Sequence, residues 1–314
     1  MTKLLRVVVA WLALALAVPS ARAETAPSYL FSFGGFGSAP GRMDHPYGLA
    51  IAADGRIFVS DQNNNRIEVF DLDGGFLSSF GQGVLFHPVE IAFGPDGNLY
   101  VVEHQNHRVS VWTSTGVFVR QWGGPGNANG QLLYPVGIAI NAAGNVYVSD
   151  SGNNRIQVFL SDGTWIGGWP SSGTPYGVEL DAAGNAYVGG YFSDNVRKYT
   201  STGTFLGVYA PAGSGDGQVI SPHGMHFDEL GNAYIADTGN DRIQKLTAGG
   251  TFLTKWGTTG TAPGEMDVPT DVLKHPQTGN IYVADWLNNR IQVFGAGPTS
   301  VSKASWGSIK SRYH

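Results

Sequence analysis

The sequence repeats one unit six times, and this repetition restricts the fold more than any other feature. Each copy starts with a residue followed by proline, and the six starts are His45-Pro46, His87-Pro88, Tyr134-Pro135, Thr174-Pro175, Ser221-Pro222 and Val268-Pro269. Subtracting consecutive proline numbers gives spacings of 42, 47, 40, 47 and 47 residues. The chain is therefore a repeat protein, and the usual estimate of domain number from length does not apply.

The third copy shows what one unit contains. Between Tyr134 and Gly168, apolar and polar residues alternate in four runs of strand length, over residues 137–140, 145–150, 155–159 and 164–168. The runs are separated by Ala-Ala-Gly-Asn, Ser-Gly-Asn-Asn and Ser-Asp-Gly, which are turn sequences. Each unit is thus predicted to form a four-stranded antiparallel sheet in which sequence neighbours pair.

A period of about 40–50 residues with four strands per unit is typical of propeller blades. We therefore predict an all-β fold, a six-bladed β-propeller of four-stranded antiparallel blades. Glycine recurs near the start of the first strand, as at Gly48, Gly137 and Gly177. Blades converge on the axis there and leave little volume, so these glycines are interpreted as structural.

The N-terminal segment is predicted to close the ring. Residues 30–46, LFSFGGFGSAPGRMDHP, match residues 253–269, LTKWGTTGTAPGEMDVP, at nine of seventeen positions. The later segment is a fourth strand and the loop after it, whereas the sixth copy ends its third strand at Phe294. Tyr29 to Phe33 should therefore complete the sixth blade. Closure by the C-terminus is the alternative, because Trp306-Gly307 resembles the fourth-strand ending Trp256-Gly257.

Residues 1–23 have the pattern of a cleavable signal peptide. Lys3 and Arg6 precede an apolar run over residues 7–18, and Ala21-Arg22-Ala23 follows as a cleavage site. Twelve apolar residues are too few for a bilayer core that needs about 20. We expect a secreted or periplasmic protein without a membrane span, with a propeller over residues 24–295 and a C-terminal tail over 296–314.

Charge and cysteine content exclude several partners and chemistries. Without Lys3, Arg6 and Arg22, the 19 basic residues fall to 16 against 24 acidic ones, a net charge of about −8. Nucleic acid, which requires a basic face, is not an expected partner. The sequence has no cysteine, which excludes disulfides, thiol catalysis and thiolate metal sites. We expect a monomer.

An acidic residue at the end of the second strand is followed five residues later by arginine in five of the copies. The pairs are Asp61 and Arg66, Glu103 and Arg108, Asp150 and Arg155, Asp237 and Arg242, and Asp285 and Arg290. The fourth copy loses both partners together, with Gly190 and Asn195 instead. We interpret each pair as a structural contact that orders the Asn-rich turn, because a guanidinium suits a carboxylate and turn carbonyls.

The patterns Pro-x-Gly-Ile-Ala, Gly-Asn-x-Tyr-Val-x-Asp and Asn-Arg-Ile-Gln-Val-Phe resemble the NHL repeat over residues 29–295. The resemblance implies a six-bladed propeller, which that family uses mostly for binding and occasionally for catalysis. In a related amidating-lyase branch, the resemblance would imply zinc held by histidines in Pro-His starts from several blades. Only His223 has that position, and a catalytic zinc needs three protein ligands, so no zinc site is predicted.

Function should lie where one blade differs from the others. The loop into strand one and the turn between strands two and three share one end of the ring, which we call the top. Two carboxylates, Glu90 and Asp271, replace a glycine of the repeat near the predicted channel mouth. They could bind a divalent cation such as calcium, or serve as acid and base, or cap local backbone amides.

Aromatic residues and one histidine complete the predicted ligand-binding set. The residue after proline is Tyr47, Tyr176 or His223 in three copies. Tyr191, Phe192 and Trp286 stand in turns where other copies carry small polar residues. Exposed aromatics often mark a contact surface, although packing against a neighbouring loop would also explain them. His104 and His107 lie in a turn of the second copy, where we expect solvation instead of metal binding.

The sequence favours an exported, non-catalytic binding module whose top face takes a protein, peptide or glycan ligand, without a cofactor. The alternative is a metal-dependent hydrolase or lyase that works at the channel mouth through Glu90, Asp271 and His223.

Overall fold

The computed structural model describes residues 23–295, so the predicted signal peptide and C-terminal tail lie almost entirely outside the described residues. The 24 strands of the described residues form six four-stranded antiparallel sheets arranged as a propeller, which confirms the predicted fold. Blade one consists of β2 Pro46–Ile51, β3 Ile57–Asp61, β4 Arg66–Phe70 and β5 Phe76–Phe80. Blade two consists of β6 Pro88–Phe93, β7 Asn98–Glu103, β8 Arg108–Thr113 and β9 Phe118–Gly123. Blade three consists of β10 Ile138–Ile140, β11 Val146–Asp150, β12 Arg155–Phe159 and β13 Trp165–Pro170.

The last three blades follow the same order, and the sixth takes its outer strand from the N-terminus. Blade four consists of β14 Pro175–Leu180, β15 Ala186–Gly190, β16 Asn195–Tyr199 and β17 Phe205–Ala210. Blade five consists of β18 Met225–Phe227, β19 Ala233–Asp237, β20 Arg242–Leu246 and β21 Phe252–Trp256. Blade six consists of β22 Pro269–Lys274, β23 Ile281–Asp285, β24 Arg290–Gly295 and β1 Ser28–Gly34. Two short 3-10 helices, Ser151–Asn153 and Thr238–Asn240, replace the turn between strands two and three in blades three and five.

The N-terminal strand closes the ring as predicted. β1 pairs antiparallel with β24, with Ser28 opposite Gly295 and Phe33 opposite Ile291. The Phe33 ring packs 4.8 Å from the ring of Phe70 in blade one, so one strand joins the two ends of the ring. The preceding residues continue onto blade five, where the Glu24 amide donates to the Leu253 carbonyl and the Glu24 carboxylate contacts Lys245.

The blades are also joined at the top by a repeated hydrogen bond. The turn between strands two and three ends in a left-handed residue, such as Asn65 (φ 55°) or Asp241 (φ 52°). Asn and Asp tolerate this conformation. Their side chains accept from the amide of the residue before proline in the next blade, as between Asn65 and His87 or between Asp241 and Val268. The left-handed turn therefore fixes the loop that carries the next blade's top residues.

Glycine near the axis is required by close approach between blades, as predicted. A Cβ on Gly177 would lie 1.9 Å from the His223 carbonyl oxygen, and one on Gly224 would lie 2.1 Å from a carboxylate oxygen of Asp271. Any larger residue would separate the neighbouring blades.

The five predicted acid–arginine pairs are all present, with Nε–O distances of 2.6–2.8 Å and fully buried acids. In blade three, Asp150 accepts from Asn153 of the turn and from the Leu133 amide. Arg155 donates to Asp150 through Nε and, through Nη2, to the Ala128 and Gln131 carbonyls of the inter-blade loop. The acid orders the turn, and the arginine ties this turn to the loop that enters the blade.

Blade one differs from this arrangement by one buried carboxylate. Gln157, Gln244 and Gln292 donate to the paired aspartate of their blades, whereas blade one has Glu68 at the same position. The Glu68 carboxylate lies 2.7 Å from Arg66, which also pairs with Asp61. Burial raises the pKa of Glu68 to about 7, an effect that Arg66 opposes and the Asp61 charge reinforces.

We expect Glu68→Gln to remove a loss of stability that the protein otherwise undergoes as the pH rises. A carboxyl with a raised pKa binds a proton in the folded state and not in the unfolded state between pH about 4.5 and 7. Its contribution to the free energy of unfolding therefore falls across that range, by up to about 3 kcal/mol at 1.36 kcal/mol per pKa unit. Urea unfolding of the wild-type protein and the variant at pH 5 and pH 8 measures this fall in the free energy of unfolding.

The reciprocal variant Gln157→Glu is the matched control, because it places a carboxylate at the equivalent site of blade three. It should introduce the pH dependence that Glu68→Gln removes. Equal pH slopes in the wild-type protein and both variants would contradict the raised pKa.

Candidate functional site

Two cavities lie near the propeller axis, one at each end. The top cavity has a volume of about 580 Å³ and opens among the loops that precede strand one. The axial cavity has a volume of about 650 Å³ and opens at the opposite end, which we call the bottom. Both fall in the size range of small-molecule sites.

The wall of the top cavity contains a layer of packed aromatic rings. Tyr176 and Tyr191 stack with centroids 4.6 Å apart and an interplanar angle of 17°. The imidazole of His223 lies 4.8 Å from the ring of Tyr176, and the Tyr47 ring stacks with it at a centroid distance of 5.8 Å. The structure thus brings four of the predicted site residues together, from blades one, four and five.

His223 leaves one polar atom free within this layer. Its Nδ1 lies 3.2 Å from the Tyr47 hydroxyl, whereas its buried Nε2 has no hydrogen-bond partner among the described residues. The residue is 7% exposed, and burial lowers the pKa of His223 to about 3, so the ring is neutral at physiological pH. Nε2 can therefore donate or accept one hydrogen bond, depending on the tautomer.

Trp286 and Phe192 occupy different environments. Trp286 lines the top cavity, packs 4.4 Å from His45 and donates through Nε1 to Gln62. Phe192 lies beside Tyr191 but is 75% exposed and does not line the cavity. Trp286 is therefore anchored by packing, while Phe192 extends from the rim into solvent.

Three further histidines, none of them in the predicted ligand-binding set, line the top cavity. His45 and His87 are the residues before proline in blades one and two, and His104, expected to be solvated, is partly buried and bonded to the Pro135 carbonyl. The Nδ1 atom of His87 has no partner among the described residues, and burial lowers the pKa of this histidine to about 4. For His45 and His87, the position before proline was the available signal.

The prediction that all candidates lie at the top was wrong for Glu90 and Asp271, which line the axial cavity. The reason is geometric, because a position two residues after proline lies further down the channel than the top loop. Asp271 accepts from the amides of Leu49 and Val272, both at 2.8 Å. Burial raises the pKa of Asp271 to about 7, and burial and the Asp271 charge raise the pKa of Glu90 well above its usual range.

Two more residues of the axial cavity were missed by sequence reasoning. Glu179 and His226 lie four residues after proline in blades four and five, where three other blades have alanine. Burial and the charge of Asp271 raise the pKa of Glu179 to about 8, while burial lowers the pKa of His226 to about 4. The period of two along a strand pointing into the channel could have identified both.

Within residues 23–295, no group of three His, Asp or Glu side chains is arranged to hold a metal ion. Over the same residues, no helix has the length and apolar character needed to cross a membrane.

The comparison with known families agrees with this architecture. The NHL repeat model matches residues 43–70 and 132–159, which are the first three strands of blades one and three with the loop before them. This six-bladed β-propeller contains NHL repeats. The blades outside these two segments are also four-stranded sheets in which each strand is hydrogen-bonded to its neighbour in the repeat.

Relatives of this NHL-repeat propeller are similar over short segments. Protein lin-41 of Caenorhabditis elegans is 41% identical over 49 residues, which is 16% of this chain and 4% of that protein. The chain matches only 4–6% of the length of the curated relatives that it resembles.

Solved structures are similar over most of the chain. The virginiamycin B lyase of Staphylococcus aureus has a TM-score of 0.59 and 14% identity, over 81% of this chain and 95% of that one. An auxiliary nutrient binding protein of Bacteroides thetaiotaomicron has a TM-score of 0.64 and 13% identity, over 81% and 69%. At such identities the similarity shows the fold alone, and the two neighbours differ in function.

Proposed function

We propose that this propeller is a secreted or periplasmic binding module that captures a protein, peptide or glycan ligand in its top cavity. The proposal rests chiefly on one observation, the unpartnered Nε2 of His223 inside a layer of tyrosine rings. Leaving a buried polar group unpaired costs about 1–3 kcal/mol. A ligand atom that completes this hydrogen bond recovers that free energy.

The chemistry of the cavity favours a ring-bearing, uncharged group on the ligand. Stacked tyrosines offer flat apolar faces, and the neutral imidazoles of His87 and His223 offer hydrogen bonds without charge. A sugar ring or an aromatic side chain has both the flat face and the polar edge that these groups require. Tyrosine and tryptophan are also the residues that most often dominate binding energy at interfaces.

Export is part of the proposal because of the sequence of residues 1–23, with its basic start, short apolar run and Ala-Arg-Ala site. The periplasm or the exterior would then supply the ligand.

We expect His223→Leu and Tyr191→Ser each to weaken ligand binding at least tenfold, about 1.4 kcal/mol, with little change in melting temperature. The first removes the free hydrogen-bonding atom, and the second removes one face of the stacked pair. The ligand is found by screening the mature protein on glycan and peptide arrays, and its affinity for each variant is measured by calorimetry.

Phe192→Ser is the matched control, because Phe192 neighbours Tyr191 but lies outside the cavity. It should bind as the wild-type protein does. If His223→Leu and Tyr191→Ser fold and bind with unchanged affinity, the ligand does not occupy the top cavity.

A metal-dependent hydrolase or lyase is the second candidate, and the raised pKa values of Glu90 and Asp271 favour it, since such groups can exchange protons near neutral pH. It would require both carboxyls and His223 to act on one substrate, yet they line different cavities. Stoichiometric zinc or calcium in the purified mature protein, found by elemental analysis, would support this candidate over the binding module.

A further inference from the structure

We propose that the axial cavity is a second binding site, open at the bottom, for an aliphatic amine that carries an oxygen acceptor at its other end. The site is separate from the top cavity and does not depend on the function proposed for it. Its volume of about 650 Å³ accommodates a small organic molecule.

The first observation is a group of acids without a cationic partner. Glu90, Glu179 and Asp271 come from three different blades and line one cavity. Among residues 23–295, no lysine, arginine or histidine forms an ion pair with any of the three, while other buried acids such as Asp150 and Asp285 are paired with arginine. A buried carboxyl is either neutralised by a proton or paired with a cation, and an ammonium group from a ligand would supply the pairing that the surrounding residues do not.

The basic groups around this cavity do not fill that role. Lys274 contacts Glu229 at 2.7 Å at the rim, and Glu229 is an exposed residue. His226 lines the cavity, but burial lowers its pKa to about 4 and keeps it neutral. A cation that enters the cavity would therefore meet three carboxyl groups and no buried positive charge.

The second, independent observation is a buried donor nearer the mouth. His275 is only 2% exposed and lines the same cavity. Its Nδ1 accepts from the amides of Gln277 and Thr278, so Nε2 carries the proton. This buried Nε2 has no partner among the described residues, and it faces Gly55 on the cavity wall, 3.8 Å from the position that a Cβ would take.

The two observations together define the class of ligand. The carboxyls select an ammonium group, and His275 selects an oxygen acceptor. Asp271 and His275 are four residues apart on one extended segment, or about 13 Å at 3.3 Å per residue. An extended ω-amino acid has an amine and a carboxylate at opposite ends, and its carboxylate would also lie near Lys274 at the rim.

Binding of an amine should release protons. Burial raises the pKa of Glu179 to about 8 and that of Asp271 to about 7, so the carboxyls are partly protonated at neutral pH. An ammonium beside them favours their ionised forms, and affinity should rise from pH 7 to pH 9. The other titratable groups around the carboxyls are Tyr47, His226, Asp228, Glu229, Lys274 and His275.

Calorimetry with 6-aminohexanoate tests the proposal on the mature protein. Titrations at pH 7 in phosphate and in MOPS, which have different ionisation enthalpies and no primary amine, report the protons released on binding. We expect binding with proton release, weaker binding of hexylamine, which lacks the oxygen, and no binding of hexanoate, which lacks the amine. Glu179→Gln should weaken binding at least tenfold and reduce proton release.

Glu68→Gln is the matched control, since it neutralises a buried glutamate of raised pKa away from the axial cavity. It should leave amine binding unchanged. If Glu179→Gln fails to fold, His275→Phe serves instead, because it should abolish the preference for 6-aminohexanoate over hexylamine.

Three results would overturn the proposal. The first is no binding of either amine up to about 10 mM, which corresponds to a binding free energy weaker than about 3 kcal/mol. The second is amine binding that Glu179→Gln or His275→Phe does not alter. The third is binding of calcium without binding of amines. None of these results bears on the top cavity, so the two proposals can fail separately.

Discussion

Deletion of residues 24–34 is expected to open the ring and lower the free energy of unfolding by more than about 5 kcal/mol. The deletion removes β1, the outer strand of blade six, whose other three strands are β22, β23 and β24. It exposes the edge of β24 and removes the packing of Phe33 on Phe70 and of Tyr29 on Phe294. An uncovered edge strand also promotes aggregation.

Thermal unfolding and light scattering measure the two consequences. Deletion of residues 24–27 alone is the control, because it leaves β1 in place and removes the Glu24 contacts with blade five, including the Glu24–Lys245 ion pair. The Glu24 side chain is 44% exposed, and the buried Lys245 keeps Asp228 at 3.8 Å after its loss, so this shorter deletion should have a small effect. A monomeric protein with an unchanged melting temperature after the longer deletion would contradict closure by β1.

Arg155→Ala is expected to destabilise the protein by about 3 kcal/mol, because it leaves a fully buried carboxylate without its cation. Asp150 would keep the hydrogen bonds from Asn153 and Gln157 but lose the guanidinium at 2.6 Å. The inter-blade loop would also lose the bonds from Arg155 to the Ala128 and Gln131 carbonyls. Urea unfolding measures the change in the free energy of unfolding.

A double-mutant cycle with Asp150→Ala separates the contact from the other losses. Because the two side chains touch, the double variant should be less destabilised than the sum of the single variants, by about 1–3 kcal/mol. Asn195→Ala in blade four is a control, since that blade lacks both partners and the Asn195 side chain accepts instead from Ser193 and Arg197. Additive effects of Asp150→Ala and Arg155→Ala would show that the pair has no energetic coupling.

The local structure of this protein followed from its sequence. Strand order, blade number and hairpin turns depend on alternation of apolar residues and on Gly, Asn and Asp in turns, which act over a few residues. The prediction for the third blade placed its third strand at residues 155–159, and β12 has those bounds. Closure was predictable for a different reason, because the segment before Pro46 repeats the one before Pro269 and a repeat must occupy equivalent places.

The acid–arginine pairs were predictable from their joint loss in blade four, since two residues that disappear together are expected to touch. The partner of the remaining guanidinium nitrogens was not predictable. Arg155 reaches loop carbonyls more than twenty residues earlier in the chain, and that distance is set by how the loop folds back over the blade.

Which cavity a candidate residue lines depends on how deep that residue lies along the propeller axis, and only the tertiary structure determines this depth. A residue's position in a strand is a local property, so the sequence placed Tyr47, Tyr176 and His223 beside each other at the top. Whether Glu90 and Asp271 join them or face the opposite cavity depends on the tilt and convergence of six blades, because these set where the channel narrows. Burial depends on the same global packing. It shifts the pKa values of the axial carboxyls, and it leaves His223 and His275 each with a nitrogen that has no partner within residues 23–295.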